Sequence, residues 1–328
     1  MPAEIIAEVA QGYQGDAALA QELVLGAVTA GADAVKLQLV YADELATPDY
    51  KYYNLFRSLE MPQEVWQRLR DEAKAGGLRI YLDVYGQRSL REAIELNVDG
   101  VKIHATDFFN TKLVSSVLDA MTRVYISLGG ISVPELENFL HLHKVKNDQV
   151  FLMYGFQVEP TRLEDNNLRR INALRNRFPG YRFGFMDHSD GGSNDAMTLA
   201  LLALALDIDC IEKHITLDRS AQLEDYVSAL SPASFRVFVQ RIRHLENALG
   251  TDNLGLTAVE QEYRSSIQKV VVAERELIKG EVLTPETISL KRVANTSPSS
   301  LYRIEQVTGR RLTVNVMSNQ QVTEEMFS

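Results

Sequence analysis

Residues 5–39 read IIAEVAQGYQGDAALAQELVLGAVTAGADAVKLQL, and the period of their apolar residues changes twice. Ile5 to Val9 is a short β-branched run, Leu19, Leu23 and Ala27 recur at helical spacing, and Ala34 to Leu39 returns to strand character. Asp16 suits the helix N-cap and Gly31 a C-terminal stop. A complete β-α-β unit is therefore written here, and its alternation continues along the chain. Further strand runs are Arg79 to Leu82, Val101 to Ile103, Val124 to Ser127, Val150 to Met153, Tyr181 to Phe185 and Cys210 to His214. Ser89 suits a further N-cap and has the form of a capping box with Glu92, as Ser132 does with Pro134 and Glu135. Strand starts recur roughly every 20 to 45 residues, and eight such units closing on themselves predict a (β/α)8 TIM barrel. The rival, an open doubly wound sheet, would carry a glycine-rich dinucleotide turn after its first strand. Ala10-Gln-Gly-Tyr-Gln-Gly15 lacks that G-x-G-x-x-G spacing.

The pattern changes after Gly250. A helical segment through Arg264 leads to Val270-Val-Val, Ile278-Lys-Gly-Glu-Val, Ile288-Ser-Leu-Lys-Arg and Arg311-Leu-Thr-Val-Asn-Val, short strand-like runs separated by Gly, Pro, Asn and Ser. The expected division is a barrel over 1–250, a linker over 251–268 and a small β-rich domain over 269–328. The whole chain has 328 residues, of which 45% are hydrophobic and 24% charged, enough to fill a large core. A net charge of −10 argues against a nucleic-acid partner, and any bound phosphate must be held locally. The single cysteine, Cys210, excludes an intramolecular disulfide and a multi-cysteine zinc site, which points to a reducing compartment. No secretion signal is visible at the N-terminus, and the apolar run Met197 to Leu206 is too short to span a bilayer. A cytoplasmic protein with no membrane partner is expected.

In a barrel of this kind chemistry sits at the C-terminal ends of the strands. The polar residues there are Glu8, Lys36, Gln38, Asp83, Lys102, His104, Ser127, Tyr154, Asp187, His188, Glu212 and His214. Strand alternation puts Lys36 with Gln38, Lys102 with His104 and Glu212 with His214 on common faces. His188 and His214, at the ends of adjacent strands, are positioned either to meet one divalent ion or to be two satisfied histidines. Lys36 and Lys102 at inward positions need partners. An anionic substrate, a structural pairing with Glu8, Asp83 or Glu212, and a Schiff base are the three readings. Ser127-Leu-Gly-Gly130 and Ser189-Asp-Gly-Gly-Ser193 precede helices, where backbone N–H groups hold phosphate. His141, His143 and His244 read as solvated surface, Cys210 as buried packing, and Tyr50, Tyr52, Tyr53 and Phe56 as either a lid or loop packing.

Taken together, Ile6-Ala-Glu-Val9, Ala30-Gly-Ala-Asp-Ala-Val-Lys-Leu-Gln38, Gly184-Phe-Met-Asp-His-Ser-Asp-Gly191 and Ile211-Glu-Lys-His-Ile-Thr-Leu-Asp218 resemble the N-acetylneuraminate (sialic acid) synthase family. The resemblance covers nearly the whole chain, and from about Lys269 it is to the antifreeze-like (SAF, β-clip) domain. It implies condensation of phosphoenolpyruvate with N-acetylmannosamine or a related sugar aldehyde, with Mn2+ as the ion and Mg2+ or Co2+ as alternatives. His188 and His214 resemble the metal ligands, and Glu8 resembles the catalytic-site glutamate. Lys36, Lys102 and Ser127 resemble positions that hold phosphoenolpyruvate, and Gln38, Asp107 and Asp225 resemble sugar-side positions. Arg292 resembles an arginine that the small domain extends into the neighbouring subunit, which implies a domain-swapped homodimer. Departures cluster near the expected phosphate. Gly12-Tyr13 replaces Asn-His, Leu82-Asp-Val-Tyr85 replaces Ser-Thr-Pro-Phe, His104-Ala105 replaces Gly-Ser, Met186 replaces a serine, and Asp107 replaces a glutamate. Asp83 would repel a phosphate, and His104 is the expected compensating donor. Two other functions stay open: a metal-dependent pyruvate aldolase and a non-catalytic binding protein derived from the family.

Overall fold

The computed structural model describes residues 2–327, and in it the alternation read from the sequence closes into a barrel. Eight parallel strands, β1 (Glu4–Ala10), β2 (Ala34–Gln38), β3 (Arg79–Val84), β4 (Gly100–Ile103), β5 (Val124–Ser127), β6 (Val150–Tyr154), β7 (Arg182–Asp187) and β8 (Cys210–His214), pair in sequence order, and β1 pairs with β8. Helices α1 (Ala17–Ala30), α2 (Ala42–Leu45), α3 (Tyr53–Ser58), α4 (Gln63–Ala75), α5 (Gln87–Glu95), α6 (Thr111–Ala120), α7 (Val133–Leu142), α8 (Arg169–Arg177), α9 (Asp195–Leu204) and α10 (Pro232–Leu249) lie in the connections and after β8. Their apolar residues join outward strand residues such as Ile5, Ala7 and Val9 in one core. Asp16 caps α1 by accepting from Ala18 N and Leu19 N, and Gly31 ends it in the left-handed region at φ 78°. Ser132 caps α7 with Glu135 as expected.

Ser89 does not cap α5. Its hydroxyl accepts from Tyr85 N and Gly86 N one turn inside the helix, while the Arg88 and Ser89 amides donate to the Glu44 carboxylate. A carboxylate from α2 takes the N-terminal amides more favourably than a local hydroxyl, because it also meets the positive end of the helix. Glu92, the expected box partner, accepts instead from Tyr41.

Inside the barrel the period of two builds layers. Glu4, Ile6 and Glu8 on β1 point inward at three heights, as do Ala34, Lys36 and Gln38 on β2, and Cys210, Glu212 and His214 on β8. The middle layer is an apolar plug of Ile6, Ala34, Tyr81, Tyr125, Phe151, Met153, Met186 and Cys210. Gly184 makes it possible, since a Cβ there would lie 2.4 Å from Cys210 Sγ and 2.5 Å from Met153 Sδ. Polar side chains above the plug form the site described below.

Clustering of contacts divides the chain into Met1–Gly250 and Thr251–Ser328. The second unit contains α11 (Ala258–Ile267) and the antiparallel pair β9 (Val270–Ala273) and β10 (Ile288–Lys291), with a core that includes Val271, Leu277, Leu283, Ile288, Val307 and Val316. The other two expected strands are single bridges, Leu277 to Val316 and Val282 to Arg311. Gly280 and Gly309, at φ 89° and 84°, turn the backbone before a ladder can extend.

Candidate active site

A cavity of about 920 Å³ opens at the C-terminal ends of the strands and is lined by Glu8, Lys36, Gln38, Asp83, Lys102, His104, Ser127, His188, Glu212 and His214, among others. Its floor is an ionic layer. The Lys36 ammonium contacts Glu8, sits 2.7 Å from Asp83 Oδ1 and 3.6 Å from Glu212 Oε2, while Lys102 Nζ donates to Glu212 Oε1 at 2.6 Å. Three carboxylates thus face two ammonium groups. Burial opposes the charge on Lys36, but Asp83, Glu212 and Glu8 hold its ammonium well above the ordinary lysine range. Burial works on Glu212 in the opposite sense to Lys102 and Lys36, which prevail and hold it low. Glu8 is pushed up to about 8, first by burial and then by Glu212 and Asp83, against the pull of Lys36. One proton on Glu8 makes the layer neutral.

Of the three readings of Lys36 and Lys102, the structure shows the pairing with Glu8, Asp83 and Glu212. A desolvated lysine keeps its charge only beside a carboxylate, and β1, β3 and β8 each bring one to Lys36. Lys102 is the more available cation, because its only protein hydrogen bond among the described residues is the one to Glu212. Ser127 is buried at the end of β5 on the same wall. Gln38 is oriented by Gln11 Nε2 at 2.8 Å. His104 stands just above Lys102, where burial, opposed by Asp83, lowers its imidazole to about 4.

His188 and His214 come together at the end of β7 and β8 with ring centroids 5.1 Å apart. Both are buried, and burial first of all holds both imidazoles well below the ordinary histidine value, so their ring nitrogens keep a lone pair. His188 Nδ1 is buried without a hydrogen-bond partner among the described residues. Behind the pair, on the outer face of the barrel, Lys213 Nζ lies 3.2 Å from Asp187 Oδ1 and 3.0 Å from Ser189 O, tying the two strand ends together. Asp225 Oδ2 lies 3.8 Å from His214 Nδ1, and Glu159, His214 and Asp225 offer donor atoms within 4.8 Å of one another. Neutral imidazoles with carboxylates beside them are a donor set that fits a divalent ion of the Mn2+ or Zn2+ type.

Among the expected residues of the first unit, Asp107 and Asp225 do not line the cavity. Asp107 is absent from the cavity lining and instead accepts from Thr106 Oγ1 and Asn110 Nδ2 in the loop after β4. Arg292 belongs to the second unit, is exposed, and donates to Ile267 O at 3.0 Å. Tyr50, Tyr52 and Phe56 pack on one another outside the cavity. The linear reading missed Glu159 and Gln157. Neither lies on a strand, and no local motif marks them.

Comparison with known proteins agrees with this geometry. The family model described as "NeuB family" matches residues 23–253, and that of the SAF domain matches residues 268–328. The chain belongs to the NeuB family. It is 30% identical over 292 residues, 89% of this chain and 85% of the relative, to an uncharacterized protein of Methanocaldococcus jannaschii. It is 26% identical to the N,N'-diacetyllegionaminic acid synthase of Legionella pneumophila, across 95% of this chain and 91% of that one. The crystal structure of a sialic acid synthetase from Leptospira borgpetersenii superposes with a TM-score of 0.75 at 27% identity, covering 81% of this chain and 93% of that one. The NeuB chain is thus an enzyme, a carbon–carbon bond-forming transferase of a family that is in general metal-dependent. No helix among its described residues is long and apolar enough to cross a membrane.

Proposed function

We propose that this NeuB chain condenses phosphoenolpyruvate with an aldehyde sugar, N-acetylmannosamine or a related N-acetylated hexose, to give a nonulosonic acid and phosphate. The observation that carries the reading is the meeting, in one cavity, of an incompletely bonded lysine, Lys102, with a pair of neutral histidines. Lys102 and Ser127 hold the anionic substrate, and Lys36 keeps Glu8, Asp83 and Glu212 in place around it. His188 and His214 would hold the divalent ion, Mn2+ first and Mg2+ or Co2+ as alternatives, which supplies Lewis acidity to a carbonyl oxygen.

In this scheme C3 of phosphoenolpyruvate attacks the aldehyde carbon, the carbonyl oxygen takes up a proton, and water adds to the electron-poor C2. The tetrahedral product then releases phosphate by C–O cleavage as a C2 carbonyl forms. Glu8, raised to about 8, carries a proton near neutral pH; once it has given that proton to the carbonyl oxygen, its carboxylate takes up the proton that the adding water releases. Gln38 and Asp225 orient sugar hydroxyls. Asp107, held in its loop, and Arg292, on the second unit, belong to the same proposal only if binding or a partner subunit brings them to the site. The proposal includes a cytoplasmic, domain-swapped homodimer, and sedimentation showing only monomer at micromolar concentration would remove that part.

Asp83 on Lys36 favours one rival, a metal-dependent pyruvate aldolase that makes the bond without releasing phosphate. Parallel incubations with phosphoenolpyruvate and with pyruvate, each with Mn2+ and a panel of N-acetylated hexoses in 18O water, separate the two. The expected result is label at C2 of the product and unlabelled phosphate. Bond formation from pyruvate with no phosphate released would establish the aldolase instead.

A further inference from the structure

Glu159 lies in the connection between β6 and α8, and Asp225 lies in the loop after β8. Each is anchored by one carboxylate oxygen. Glu159 Oε1 accepts from Ser228 Oγ at 3.0 Å and is 3.5 Å from Gln157 Nε2, and Asp225 Oδ1 accepts from the same Gln157 amide at 3.1 Å. No N–H or hydroxyl of the described residues donates to Glu159 Oε2 or Asp225 Oδ2, and the latter is turned toward His214 Nδ1 at 3.8 Å. Asp225 is held at φ 61°, a left-handed conformation uncommon for aspartate. Two carboxylates brought this close repel unless a proton or a cation lies between them.

A separate observation points to the cation. His188 is 6% exposed, its Nδ1 has no hydrogen-bond partner, and its ring is the neighbour of His214. A buried imidazole nitrogen left unbonded is costly, and ligation satisfies it. Resting on the metal reading proposed above for the two histidines, we propose that Glu159 is itself a ligand of that divalent ion. Asp225, in place of the sugar-side role given above, adds a second carboxylate: Glu159, Asp225 and His214 offer donor atoms within 4.8 Å of one another, and His188 lies beside His214. Such a mixed set is harder than a histidine pair alone and favours Mn2+ over softer ions. It also gives Gln157 and Ser228 a defined task, orienting the ligating carboxylates.

The test is Mn2+ binding to the full chain without substrate, followed by electron paramagnetic resonance of the free ion and by the visible spectrum of the Co2+ form. Wild type should bind one ion, and His188→Ala should lose it. Glu159→Gln, nearly isosteric, should weaken Mn2+ binding at least ~10-fold and change the Co2+ spectrum. Glu159→Asp, which keeps the charge, should recover part of the affinity. Glu159→Gln with wild-type affinity and an unchanged Co2+ spectrum, while His188→Ala loses the ion, would overturn the inference and leave the histidine site standing. Absence of Mn2+ and Co2+ binding in wild type would overturn both.

Discussion

The two ends of the barrel hold buried charge in opposite ways. At the N-terminal end Glu4 is completely bonded: Oε1 accepts from Arg79 and Tyr81 at 2.6 Å each, and Oε2 accepts from Arg123 at 2.8 Å and Tyr125 at 2.6 Å. Burial opposes its charge, but Arg123, Tyr125, Tyr81 and Arg79 outweigh it and hold the carboxyl below the ordinary value. At the C-terminal end Asp83 Oδ2, Glu212 Oε2 and His188 Nδ1 are buried without hydrogen-bond partners among the described residues. The same strands cross both ends, so the difference is one of design rather than of fold. A closed polar network specifies and stabilises, whereas an unfinished one stores binding capacity for a ligand.

The largest effect that would break this contrast is at the mouth. Lys102→Met should lower kcat/KM for phosphoenolpyruvate by about 100-fold or more while leaving Mn2+ binding in place. Steady-state kinetics showing normal turnover would remove Lys102 from the site and with it the idea that this end is built for an anion.

At the N-terminal end the outcome should be reversed. Glu4→Gln leaves Arg123 without its counter-charge, and urea titration should show a loss of about 3 kcal/mol, with kcat/KM of the folded fraction unchanged. A stability loss below that of Lys102→Met would mean that the N-terminal end is not the stabilising one.

Acid provides a smaller and finer comparison. A histidine whose folded value is lowered, as His104 is to about 4, contributes stability that is complete above the unfolded value near 6.5 and is lost as pH falls toward 4. Glu4, lowered from an ordinary value of 4.5, loses its contribution only below that value. Thermal melts should therefore decline first between about pH 6.5 and 4, and His104→Asn should flatten part of that decline without moving the steeper loss at lower pH. A wild-type melting temperature that is flat across that interval would contradict the placement of His104 in a desolvated wall.

Much of the architecture could be read along the chain because its determinants are local. Strand runs such as Val124 to Ser127, the Asp16 and Ser132 caps and the Gly31 stop each depend on neighbours within one or two turns. Where a partner came from elsewhere, local reading failed. Ser89 lost the cap to Glu44, 45 residues away, and the runs at 278–282 and 311–316 were divided by backbone turns into single bridges.

The candidate site divides along the same line. Position at the strand ends picked out Glu8, Lys36, Lys102, Glu212, His188 and His214, and alternation put Lys36 with Gln38, Lys102 with His104 and Glu212 with His214 on common faces, because side-chain direction in a strand is a property of position parity. Which charge answers which could not be read that way. Lys102 meets Glu212 across 110 positions of sequence, and Lys36 takes Asp83 from the adjoining strand, pairings set by barrel register and closure. Glu159, in a loop without periodicity, carries no signal along the chain, and it meets Asp225, marked only by resemblance, where β6 and β8 end on either side of β7. The sequence by itself determined the residues, their faces and the barrel; the tertiary structure decided how the charges are neutralised, since electrostatic pairing depends on distance through space and not on separation along the chain.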